Sequence, residues 1–163
     1  MSILSMCQWL QDTDIGTSIR ESIWVFPIIE GTHVLALSIS VGLLMVSDLR
    51  LMGYIMKRRP VSEVYEQIKP WMFAGFAIMV ITGIFLFWCQ AVKAYNSIFF
   101  KTKIVLLVVA AINAIVFERG IYRKVGQWDN ALVPPTEARV AGWASLILWA
   151  AIITCGRTMA YTF

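Results

Sequence analysis

Residues 20–50, RESIWVFPIIEGTHVLALSISVGLLMVSDLR, contain an apolar run long enough to cross a lipid bilayer. About 20 consecutive apolar residues span the hydrocarbon core as a helix, because a helix satisfies its own backbone hydrogen bonds where no water can. The run also holds the chain's single histidine, His33, with Glu30 three residues before it. Ionisable groups at such depth are costly, so they are expected to face the bundle interior and to serve a purpose there.

Three further apolar runs follow, and the spans are expected at about 23–47, 71–90, 103–122 and 138–158. The fold class this predicts is all-α: one integral-membrane four-helix bundle filling residues 1–163, with no repeat and no soluble domain. An apolar content of 59% agrees, since soluble domains hold roughly 45–50%. Residues of about 2–12, rich in Ile, Leu, Met and Trp with interleaved Ser and Gln, lack a basic leader and read as a short interfacial amphipathic helix rather than a signal peptide. Asp14 to Ser22 carry turn residues, and Pro27 suits the first turn of span one. Ser62 is placed to cap a short surface helix that stops before Pro70, so Pro70 and Trp71 open span two. Gly75 and Gly83 then lie on nearly one face, where a neighbouring helix can approach closely.

Arg50, Lys57, Arg58, Arg59, Lys69, Arg119, Arg123, Lys124 and Arg139 follow spans one and three, against Arg20, Lys93, Lys101, Lys103 and Arg157 on the opposite side. The excess places the first set in the cytoplasm and both termini outside, which is the periplasm in a bacterial inner membrane. Depth follows from the helix rise. His33 lies about 13 Å below Trp24, Met79 about 13 Å below Trp88, and Asn113 about 15 Å below Lys103. A site opening outward is therefore expected, with Arg20, Lys103 and Arg157 at its rim.

The sequence leaves several functions open for this cluster. Glu30 and His33 share a helix face and can form a structural pair, as in a noncatalytic membrane subunit of a larger complex. In a redox reading, His33 is an axial ligand of haem b with Met79 as the second ligand. Arg20, Lys103 and Arg157 then face the propionates, Glu30 and Asn113 complete the polar lining, and Trp24, Phe85, Trp88 and Trp149 pack on the macrocycle. One histidine excludes a bis-histidine haem within one chain, so a symmetric homodimer or five-coordinate iron is the alternative. Copper held by His33, Met79, Cys89 and Cys155, and proton or solute movement through Glu30 and His33, are further readings. The three cysteines have no metal-ligand spacing and read as small buried side chains. The basic residues flank spans and form no separate stripe, which argues against nucleic acid. No nucleophile motif, phosphate loop or zinc motif points to hydrolysis or phosphoryl transfer.

The segments RESIWVFPIIEGTH, SDLRLMG, GFAIMVITG, KTKIVLLVVAAINA and GRTMAY resemble an uncharacterised family of small four-helix bacterial inner-membrane proteins, over nearly the whole chain. The resemblance implies that membrane location and marks Arg20, Glu21, Pro27, Glu30, His33, Asp48, Arg50, Asn113 and Arg157 as motif positions, with no activity attached. More distantly, a single histidine in a first helix is similar to the copper-resistance D family and to HemJ-type protoporphyrinogen oxidases, which implies a link to copper or haem.

Overall fold

The computed structural model describes residues 2–161. Helix α1 (Ile3–Gln11) begins where the Ser2 hydroxyl accepts from the Ser5 amide, and α2 (Asp14–Glu21) begins where Thr13 accepts from the Gly16 amide. The segment expected as a turn is thus a second helix, because Thr13 and Asp14 form a good N-terminus. The four long helices are α3 (Val25–Leu51), α4 (Val61–Cys89), α6 (Ile98–Val116) and α7 (Thr136–Tyr161). A short α5 (Ala91–Asn96) links α4 to α6. Beyond Val116, α6 continues through a π turn (Phe117–Ile121) and a 3₁₀ turn (Tyr122–Gln127). All four long helices are long and apolar enough to cross a membrane.

The packing follows one order: α4 lies on α3, α3 on α7, and α7 on α6. Helix α3 is therefore inside the assembly, and it holds four of the six buried polar or charged residues among those described, Ser40, Ser47, Asp48 and Arg50. Helices α1 and α2 close one end of the bundle against α4 and α5. Trp88 Nε1 donates to Thr13 Oγ1 at 2.9 Å, and the Val92 amide donates to Gln11 Oε1 at 3.2 Å. Cys7, Ala91 and Ala94 are buried beneath this cap, whereas Ile3, Met6 and Trp9 face outward, as expected of an amphipathic helix lying at the interface.

At the opposite end, α4 differs most from the sequence expectation. It does not restart at Pro70 but runs unbroken from Val61 through that proline. An interior proline costs about 3 kcal/mol in a helix, and contacts on the preceding turns offset it. The Ser62 amide and hydroxyl donate to the Asp129 carboxylate at 2.7 and 2.6 Å, so Ser62 is itself capped from another connection instead of capping the helix. Tyr65 donates to Glu118 at 2.6 Å, Lys69 pairs with Glu118 at 3.0 Å, and Tyr122 donates to Glu66 at 2.8 Å. Tyr65 and Phe117 meet edge to face, Tyr122 packs tilted against both, and the three join Leu51, Val61, Ala138 and Ala141 in one apolar cluster.

Two glycines in α4 explain how closely it approaches α3. A Cβ at Gly75 would overlap the Ser40 hydroxyl, and one at Gly83 would stand 3.3 Å from His33 Cε1. Gly142 does the same for α7, where a Cβ would stand 3.1 Å from the Asp48 carbonyl oxygen. Helices without a water-driven attraction between them gain from such backbone proximity.

Candidate functional site

His33 points across the α3–α4 seam, with Nδ1 2.9 Å from Thr82 Oγ1. The Thr82 hydroxyl has one proton, which it directs to carbonyls of its own helix: Ile78 at 2.7 Å and Met79 at 3.2 Å. Its oxygen is then an acceptor, so the geometry assigns the imidazole proton to Nδ1 and leaves a lone pair on Nε2. Gly83 provides the flat surface against which the ring lies.

Lys103 is the nearest cation. It reaches from α6 toward α7, its Nζ lying 3.5 Å from the position a Cβ would take on Gly156. It is within electrostatic reach of both His33 and Cys155. Among the described residues it forms no hydrogen bond or ion pair. The structure thus brings together His33, Thr82, Lys103 and Cys155 from four helices.

Several residues expected beside His33 lie elsewhere. Glu30 is exposed on α3 and has no hydrogen bond or ion pair among the described residues. The expected Glu30–His33 pair is not formed, because positions three apart on a helix diverge by about 60° and Thr82 takes the inner one. Arg20 is exposed, with Nη1 3.4 Å from the Gln11 carbonyl oxygen. Arg157 donates to the Tyr161 hydroxyl at 2.7 Å and lies over that ring. Asn113 donates to the Ala141 carbonyl at 3.2 Å. That bond puts Asn113 near the start of α7, about 15 Å further along α6 than Lys103, and so away from the histidine.

Met79 is half-buried on α4, and its carbonyl lies 3.2 Å from the Thr82 hydroxyl that meets His33. The Cys89 thiol is fully buried and donates to the Leu86 carbonyl at 3.4 Å. Cys7, Cys89 and Cys155 are all free thiols. Among the described residues no three His, Cys, Asp or Glu side chains converge as metal ligands.

A second polar centre is formed at Asp48 and Arg50, which the sequence marks as motif positions without a role. Both charged residues are buried, at 4% and 1% exposure. Arg50 Nε and Nη2 donate to the Arg59 carbonyl at 3.0 and 2.8 Å, and Nη2 also donates to the Ala131 carbonyl at 3.3 Å. One guanidinium thereby ties the α3–α4 connection to the connection before α7. Asp48 faces Ser145 of α7. Ser40 Oγ, Asp48 Oδ2 and Arg50 Nη1 are buried with no hydrogen-bond partner among the described residues, and all three belong to α3. The available signal in the sequence was Gly53, whose left-handed φ of 77° ends α3 immediately after this motif.

Comparison with known proteins gives one match. Residues 20–162 fit the model of DUF6644, described as a family of unknown function. No curated protein and no solved structure matches the chain.

Proposed function

We infer, for a chain that belongs to the DUF6644 family, that the His33 site of this multi-pass membrane protein holds a b-type haem for electron transfer. The observation that carries this reading is the imidazole itself: Thr82 accepts its Nδ1 proton, which leaves Nε2 available as a ligand deep in the bundle. Iron-binding histidines are oriented in this way by a hydrogen bond on the other ring nitrogen. Lys103 supports it as a counter-charge for a propionate, being within electrostatic reach of His33 and forming no hydrogen bond or ion pair among the described residues. Gly156 leaves the space that Lys103 occupies.

His33 is the ligand this reading rests on, and half-buried Met79 on α4 stays a candidate second one. Arg20 and Arg157 hydrogen-bond to the Gln11 carbonyl and the Tyr161 hydroxyl. A haem bound by Nε2 would supply one-electron redox chemistry within the bilayer. The protein's own part is to hold the imidazole oriented through Thr82.

The visible spectrum of the detergent-purified protein tests the reading. A Soret band that disappears in His33→Ala, with iron lost in proportion, is expected. Thr82→Val should keep the band but shift the reduction potential, because the imidazole loses the acceptor that polarises it. Wild-type protein with neither a Soret band nor iron sinks the proposal, and so does an unchanged spectrum in His33→Ala.

The basic residues of the α3–α4 and α6–α7 connections support a cytoplasmic location for that end, in a bacterial inner membrane, with the termini in the periplasm. Alkaline phosphatase fused after the last residue should then be active in cells. An inactive phosphatase, with an active cytoplasmic reporter at the same place, reverses the orientation.

A further inference from the structure

A groove of ≈ 450 Å³ lies between α6 and α7 at the end opposite the N-terminal cap, and its walls include Val116, Ile121, Val140 and Ala141. Its shape has a local cause. At Phe117 the α6 helix widens into a π turn and then tightens into a 3₁₀ turn. Widened turns of this kind commonly mark functional places in helices. Asn113, bonded to the Ala141 carbonyl, forms its deep end, about 16 Å along the helix from Lys124.

The mouth of the groove has a different chemistry. A second hollow shares Ile121, Thr136 and Glu137 with the first and adds Lys124 and Gln127. Lys124 and Glu137 carry opposite charges, yet neither forms an ion pair or hydrogen bond among the described residues. Glu137 stands in the first turn of α7. The groove is thus apolar along the membrane and carries one cation and one anion at its entrance.

We propose that the groove binds a phospholipid with a primary ammonium headgroup, its acyl chain against Val116, Ile121, Val140 and Ala141, its phosphate on Lys124 and its ammonium on Glu137. A purely anionic headgroup would meet Glu137, and a purely cationic ligand would meet Lys124. A zwitterion satisfies both, and a primary ammonium can also donate a hydrogen bond to the carboxylate, which a quaternary one cannot. The inference is independent of any ligand on His33.

Native mass spectrometry of the purified protein tests it, after equilibration with equal amounts of phosphatidylethanolamine, phosphatidylglycerol and phosphatidylcholine of identical chains. One phosphatidylethanolamine should stay bound, about fivefold above either competitor. Lys124→Gln and Glu137→Gln should each remove that preference, and Val140→Trp, a substitution at an exposed position, should displace the lipid whatever its headgroup. Gel filtration shows that each variant remains folded and monodisperse. Equal retention of the three lipids, a preference for phosphatidylglycerol, or retention unchanged by Val140→Trp overturns the proposal. None of these readings depends on a visible chromophore.

Discussion

Arg50→Ala is expected to lower the stability of the detergent-solubilised protein by about 3 kcal/mol. The wild-type guanidinium makes three hydrogen bonds to the carbonyls of Arg59 and Ala131 while 1% exposed, in a place that water does not reach. Removing it leaves both carbonyls short of a donor and withdraws the cation near Asp129. Asp129 in turn holds the start of α4 through Ser62, so the loss extends to that helix end. The burial of an arginine is itself costly, and for that reason the size of the effect depends on the bonds and not on the charge alone. Arg50→Met separates the two, since it keeps the length of the apolar stem and removes the donors. It should be nearly as unstable as Arg50→Ala, and Arg50→Lys should recover only part of the loss because a single ammonium does not reproduce the fork. A shift in the denaturation midpoint reads all three. If Arg50→Met is as stable as wild type, the clamp is not what holds the two connections together.

Gly75→Ala is expected to cost about 1–3 kcal/mol by forcing α3 and α4 apart. The added methyl would overlap the Ser40 hydroxyl, which is fully buried and cannot move into solvent. Ser40 Cβ would lie 3.4 Å from the new methyl, an ordinary contact. The double variant Gly75→Ala with Ser40→Ala should therefore recover most of the loss, because only the hydroxyl is in the way and it has no hydrogen bond to forfeit. The coupling between the two sites in a double-mutant cycle measures this directly. Gly42→Ala is the contrast, since nothing lies within 4 Å of its added methyl, and it should leave the midpoint within about 0.5 kcal/mol of wild type. Additive effects of the Gly75 and Ser40 substitutions would mean that α3 and α4 do not meet there. A seam loosened at Gly75 should also disturb the His33–Thr82 bond two turns away.

Much of the architecture was readable in the order of residues. The four spans, the amphipathic start and the proximity glycines Gly75 and Gly83 are properties of apolar run length and of residue size on one helix face. What misled was local punctuation. Pro70 is a helix breaker by its own chemistry, and the α4 helix continues through it because Tyr65, Glu66 and Lys69 bind residues of the α6 extension more than 45 positions away. Asp14 to Ser22 read as turn residues, but Thr13 and Asp14 are also types that begin helices, and the short α2 is held in place by packing on α4.

The site shows the same division. Hydropathy and spacing alone marked His33 as an unusual residue in a helix that must cross the membrane, since an imidazole in a bilayer needs a partner whatever its neighbours are. They could not choose that partner. Glu30 is closest in sequence, but a helix rotates it outward, and Thr82 on another helix fills the inward position. Asn113 shared the estimated depth and not the location, because depth along separate helices says nothing about which faces meet. The charged run Asp48 to Arg50 likewise had the composition of a membrane border and became a buried clamp only when two distant connections placed their carbonyls around it. Run length and polarity, which act on each helix separately, determined that this chain is a four-span membrane bundle with one histidine inside. Which polar groups touch was decided by the tertiary structure, because the rotation and approach of each helix depend on glycines and loops that belong to its neighbours.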